Sequence, residues 1–218
     1  MRTRVNRWVL FVLVAAVLPA CATNRMLPGY TLSTPPDGPL AVLPVQGVPL
    51  IADPDAITRA LGPGVPDEVY VAFLRNRLVE VLPSEGTFGE AALTAAPTTT
   101  LSPRKLGDGI RLPLPADGTA LDLVVNGTTP AFALFLGNVQ VRRGERRSNP
   151  NAGSGFERLI VVQVDFVLWD VVKAQPAVAA RAAIEAPTSL TNPVTQTFFE
   201  RRLEELAEEI VRGTPFER

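Results

Sequence analysis

The chain has 218 residues, with 21 Lys or Arg against 22 Asp or Glu, one cysteine and no histidine. Without histidine there is no Ser-His-Asp triad, no histidine metal ligand and no catalytic imidazole, and a single cysteine forms no internal disulfide. The near-neutral charge gives no reason to expect nucleic acid as a partner. A hydrophobic fraction of 46% is too high for a disordered chain despite 21 prolines and 16 glycines.

Arg2, Arg4 and Arg7 precede an uncharged run from Trp8 to Ala20. A basic start, a short apolar core and a small residue at the cut are the order of a secretory signal. The run falls short of the roughly 20 residues that a spanning helix needs. Leu18-Pro19-Ala20-Cys21 resembles a lipobox, the processing site of bacterial lipoproteins; Leu18, Ala20 and Cys21 match that pattern and Pro19 departs from it. The resemblance implies that residues 1–20 are a signal peptide, that the Cys21 thiol receives diacylglycerol, and that the new amine is acylated. Ala22 is not the aspartate that retains such proteins in an inner membrane, so the implied address is the outer membrane, with the domain facing the periplasm. Each buried methylene contributes about 0.8 kcal/mol, so two or three chains on Cys21 would hold the protein firmly. Losing three arginines leaves 198 residues with 18 basic against 22 acidic, a formal charge of −4. That length suffices for one good core.

Residues 22–38 are rich in Pro and Gly and read mostly as a tether. Leu40 to Val45 reads as a first core strand. Asp53-Pro54 supplies a cap and a first-turn proline for a short helix through Leu61. A longer helix follows from about Asp67 to Leu82, with Val69, Phe73, Leu74, Leu78, Val81 and Leu82 recurring at spacings of three and four, and Arg75, Arg77 and Glu80 on the other side. Pro83 stands where it should end. From Ser84 to Asp108 the pattern is poor, with a short edge strand near Ala91 to Thr94 and then a loop. Ile110 to Leu114 and Leu121 to Asn126 read as strands.

The second half is clearer. Phe132 to Arg143 alternates as a strand, with Gly137-Asn138 marking a bulge where the phase slips. Phe156 to Val172 carries a wholly apolar face of Ile160, Val162, Val164, Phe166 and Leu168 and a mixed opposite face. A turn at Lys173 to Pro176 leads to a hairpin partner, Ala177 to Ala186. Asn192-Pro193 would start a last helix to about Arg212, striped by Phe199, Leu203, Leu206 and Ile210 and stopped by Gly213 and Pro215. Amphipathic helices bury their stripes against a sheet's apolar face. The expected fold is therefore α/β: a mixed or largely antiparallel sheet packed against amphipathic helices in a single layered sandwich domain over residues 39–213, with 214–218 as a tail.

Few residues offer chemistry. Asp165 and Asp170 interrupt apolar strand sequence, but five residues apart they face opposite ways and cannot form an acid/base pair. Both read as structural, Asp165 on the wetter face beside Gln163 and Asp170 exposed at the hairpin end. Asp53 reads as a helix cap. Arg142, Arg143, Arg146 and Arg147 form a cluster read as a mobile loop between two strands. It is either a solvated hairpin end or a contact for anionic headgroups or an acidic partner. No aromatics are interleaved with these arginines to stack nucleic-acid bases. No cofactor, metal or catalytic residue is indicated.

Leu40-Ala-Val-Leu-Pro-Val45, the helix through Phe73 and Leu78, and Leu121-Asp-Leu-Val-Val-Asn-Gly127 together resemble small outer-membrane lipoproteins of the TolB N-terminal and CsgG type. That group includes the curli secretion lipoprotein, PelC and the LpoB activator. The strand ending Val-Leu-Trp-Asp-Val-Val172 and the terminal helix extend the likeness over most of residues 39–212. Tyr30-Thr-Leu-Ser33 followed by a strand is similar to a second family, the auxiliary lipoproteins of lipid-transporting ABC systems. The first resemblance implies a non-catalytic structural or adaptor component of a secretion, export or wall-synthesis assembly, with envelope protein partners or self-association. The second implies a lipid-transport subunit with an apolar groove. A third reading is an envelope hydrolase working with carboxylates, which needs two of them within about 10 Å in a cleft.

Overall fold

A computed structural model describes residues 25–34, 37–107, 109–147, 156–188 and 193–218. Cys21 and the expected signal peptide, residues 1–20, lie outside these residues. The described chain is a mixed sheet layered against helices, as the periodicities predict. In chain order the elements are β1 (Leu40–Val42), β2 (Leu50–Ile51), α1 (Pro54–Leu61), α2 (Pro66–Glu85), β3 (Ala91–Leu93), β4 (Ser102–Leu106), β5 (Ile110–Leu114), β6 (Phe132–Arg147), β7 (Phe156–Asp170), β8 (Gln175–Thr188) and α3 (Gln196–Val211).

Strands run in the order β3-β1-β6-β7-β8, with β2 also beside β6. β1, β2 and β3 are parallel to their neighbours, while β6, β7 and β8 form a long antiparallel meander. Register follows the dry face: Leu134 pairs with Leu168, Leu136 with Phe166 and Val141 with Val162, all buried on the helix side. α2 and α3 lay Tyr70, Leu74 and Leu78, and Phe199, Leu203 and Leu206, against that face. The expected slip is present, with register shifting between Gly137 and Gln140 and Asn138 at a φ of 48°.

The opposite face is also covered. Ala133, Phe135, Val167 and Trp169 are buried beneath the β4–β5 hairpin and the segment 121–125. β4 falls in the region expected to be a loop; its Ser-Pro-Arg-Lys-Leu is mostly polar because only cross-strand pairing with β5 specifies it. Leu121 to Asn126, expected as a strand, is not one. Leu121, Leu123 and Val125 are buried and Asp122 and Val124 exposed, so the segment keeps period-two burial without a ladder partner beyond a single bridge from Val125 to Thr128.

Several boundaries shift for local reasons. Pro83 lies inside α2, which runs to Glu85. Its missing N–H forfeits one bond in the last turn, and Gly86 N–H closes that turn on Leu82 O. α3 starts at Gln196, capped by Thr195, whose Oγ1 accepts from Phe198 N at 3.2 Å. Asn192, the expected cap, lies outside the described residues. Arg75, placed by periodicity on the polar side of α2, turns back to the sheet and donates to the carbonyls of Leu43, Val42 and Thr94 at 3.0–3.2 Å.

Both ends of the domain differ from expectation. Residues 25–34, read as mostly tether, are docked. Leu27 N–H bonds to Ala177 O, Arg25 pairs with Glu209 of α3, and Tyr30 is buried. Met26, Leu27 and Tyr30 supply enough apolar surface to dock a segment that its prolines and glycines keep out of a helix. At the other terminus Phe216 is no tail residue: it is fully buried, stacked on Phe88 at 5.1 Å and edge-on to Phe132.

Candidate functional site

The two interrupting aspartates are buried and committed to structure. Asp165 is 1% exposed, not on a wet face. Its carboxylate accepts from Arg181 Nε at 2.6 Å and from Asn138 Nδ2 at 2.7 Å, which compensates its removal from water. Asp170 is likewise wholly buried rather than exposed at a hairpin end. It accepts from Tyr30 Oη at 2.8 Å, Thr34 Oγ1 at 2.6 Å and Lys173 N at 2.8 Å. The docked N-terminal segment covers it, and that covering is invisible in a strand pattern. Burial, then the hydrogen bond to Asp170 and its negative charge, push the Tyr30 hydroxyl well above the usual phenol range.

The arginine cluster lies in a strand, not a mobile loop. β6 continues to Arg147, paired register by register with β7: Arg142 with Val161, Arg143 with Ile160, Arg146 with Glu157. Strand alternation therefore splits the cluster. Arg143 shares the helix side with its partner Ile160, and Arg142 and Arg146 take the other. Of Arg147 only the backbone pairing with Phe156 is described, and residues 148–155 lie outside the described part.

On the helix side of this strand end lies an open cleft of about 770 Å³. Its charged walls are Asp53, the cap of α1, Arg59 from that helix's last turn, Arg143 and Glu145 from β6, and Arg158 from β7. Ala56, Leu159, Ile160, Pro193 and Val194 supply its apolar parts. Asp53 organises one wall. Its Oδ1 accepts from Ala56 N at 3.1 Å as the cap of α1, and its Oδ2 accepts from Arg143 Nε at 3.1 Å. Partial burial pushes this carboxyl up, but the Arg143 guanidinium, the Ala56 N–H and the charge of Arg59 outweigh it and hold the group below the usual carboxylate range. Arg146 pairs with Glu157 at 2.7 Å. Arg59, Arg142 and Arg158 are exposed and make no ion pair among the described residues.

Of the cluster, then, Arg143 enters the cleft directly, and it meets three residues that sequence reasoning did not join to it. Asp53 was legible as a cap only. Arg158 carries a usable signal, since it lies two residues before Ile160 and so shares the apolar face of β7. Arg59 has none, because its approach depends on how α1 sits across the sheet.

Position along the sheet adds a polarity. Arg25, Ala177, Asp170 and Phe132 gather where β6 and β8 begin and β7 ends. The cleft lies at the other end, since β6 from Phe132 to Arg143 spans roughly 35 Å at about 3.3 Å per residue. Among the described residues no cluster of three or more metal-ligating side chains occurs, and no helix is long and apolar enough to cross a membrane.

No family model matches the chain, and no curated protein matches it in sequence. Weak likenesses exist among solved structures. Protein XCC0632 from Xanthomonas campestris is 15% identical, with 80% of this chain and 82% of that chain covered at a TM-score of 0.38. A PelC dodecamer from Paraburkholderia phytofirmans is 14% identical over 87% of this chain and 96% of that one, at 0.40. The hypothetical protein CT253 from Chlamydia trachomatis is 12% identical over 81% and 98%, at 0.42. These likenesses assign no role to any residue here.

Proposed function

We propose that this protein is a non-catalytic lipoprotein of the cell envelope, anchored through acyl chains on Cys21 and acting as an adaptor in a secretion, export or wall-synthesis assembly. The observation that supports this reading is the polarity of the domain. The chain leaves the anchoring region at Arg25, at one end of the sheet, and the cationic cleft stands at the other. From Cys21 to Arg25 the chain reaches at most about 14 Å. An anchor at Cys21 thus ties the domain to the outer membrane by the end remote from the cleft. Asp165 and Asp170 are held in buried hydrogen bonds, which argues against the carboxylate hydrolase for that pair. The lipid-transport reading asks for an apolar groove, and the cleft here is walled by three arginines and two carboxylates.

Crosslinking in native membranes followed by mass spectrometry tests the proposal. It should return stoichiometric protein partners together with a diacylglycerol-modified peptide at Cys21. Repeated recovery of the protein alone, or Cys21 without lipid mass, would overturn it.

A further inference from the structure

We infer that the cleft end of the domain is a docking surface for an acidic segment of a protein partner, an inference that rests on the adaptor reading and names the surface it uses. Charge comes first. Of the cleft's three arginines, Arg59 and Arg158 have no ion pair among the described residues, and Arg143, though paired with Asp53, keeps its side chain 68% exposed; they outnumber the two lining carboxylates, Asp53 and Glu145. Guanidinium groups take carboxylates as two parallel hydrogen bonds, which gives both attraction and orientation.

Shape adds a second argument. The opening is about 770 Å³; its charged walls stand on a capped helix and two paired strands, so the arginines are held in place before anything binds. Exposed Pro193 and half-buried Val194 offer apolar contact beside the charges, over a floor closed by the buried Leu159 and Ile160, the mixture that fixes a peptide carrying both acidic and apolar side chains. Position supplies the third. Headgroups of the membrane that holds Cys21 would lie at the Arg25 end, and β6 separates that end from Arg143 by roughly 35 Å. An acidic protein reaching the domain from the other side meets the arginines first.

The test uses the full-length lipidated protein in neutral phosphatidylcholine vesicles, titrated at low salt with a fluorescent oligoglutamate peptide that carries leucines. Saturable binding that weakens with added salt is expected. The double substitution Arg59→Glu with Arg158→Glu should weaken it at least about tenfold, whereas Lys105→Glu, an exposed cation on β4, should leave it unchanged. Circular dichroism spectra of both variants should match the wild type, because none of the three side chains makes a hydrogen bond or ion pair among the described residues; the double variant should melt slightly earlier, since Arg59 no longer favours the ionised Asp53. Absence of saturable binding, or equal weakening by Lys105→Glu, would overturn the inference. So would preference for phosphatidylglycerol vesicles added in trans over the peptide, which would make lipid the occupant. Protein that floats with the vesicles yet ignores the peptide sinks this surface and leaves the anchor standing. Protein that binds peptide with no lipid on Cys21 does the reverse.

Discussion

Tyr30 donates its hydroxyl to the Asp170 carboxylate at 2.8 Å across 140 residues of sequence, and both groups are buried. With Thr34 as a second donor, this contact latches the N-terminal segment over the end of β7. Asp170→Ala would leave two buried hydroxyls and the Lys173 N–H without their acceptor, and each unsatisfied group costs about 1–3 kcal/mol. A stability loss of roughly 3 kcal/mol is expected in urea denaturation, together with faster proteolysis between Arg25 and Thr34. Tyr30→Phe should cost less, because Thr34 and Lys173 keep the carboxylate satisfied. Equal losses for the two variants would disprove the latch.

Asp53 gives the cleft wall a pH dependence with a defined sign. Its carboxyl is held below the usual range, so the ionised form is favoured in the folded state and contributes stability above the ordinary carboxylate pKa of about 3.9. That contribution is lost as pH falls through the depressed folded value. Asp53→Asn keeps the helix cap and removes the negative charge that Arg143, the Ala56 N–H and Arg59 favour. Its melting temperature should therefore fall less than that of the wild type between pH 5 and acid conditions, about pH 2–3. Parallel curves would show that the charge of Asp53 adds nothing to the cap.

Tyr70 is fully buried on α2, edge-on to Phe199 at 5.5 Å, and its hydroxyl has no hydrogen-bond partner among the described residues. Burial alone pushes its pKa well above the phenol range. Tyr70→Phe keeps the ring packing and deletes an unsatisfied polar atom, so stability should stay level or rise by up to about 1–2 kcal/mol. A clear drop in the denaturation midpoint would mean that the hydroxyl has a partner.

Arg75 spends its guanidinium on three backbone carbonyls, those of Leu43, Val42 and Thr94, where β1 and β3 end. Burial lowers its pKa, yet the planar fork reaches separated oxygens that a point charge cannot. Arg75→Lys should cost about 1–2 kcal/mol, and hydrogen exchange should quicken at Thr94, whose N–H bonds to Val42 O. Unchanged exchange there would reject the clamp.

Much of the fold was legible because its elements carry their own period. β7 shows one dry face over the nine residues from Ile160 to Leu168, α3 repeats its stripe at three and four, and Gly137-Asn138 marks the slip in β6. Elements specified by their neighbours were not legible. β4 has too little apolar content to announce itself, and 121–125 has a strand's alternation without a strand's partner. Of the site, Asp53 was visible as a cap and Arg143 as one of a cluster, but nothing local joins two residues 90 positions apart.

The amino-acid order alone determined the lack of imidazole chemistry, the apolar faces, and hence a sheet layered with helices, because each follows from residue type and spacing along a short stretch. Tertiary structure decided which charges are buried, where the N-terminal segment docks, and that an arginine cluster is divided between two sides of a strand. Those outcomes depend on pairing and coverage between distant segments. The free energy of a carboxylate is set by the groups that close around it, which the sequence holds far apart.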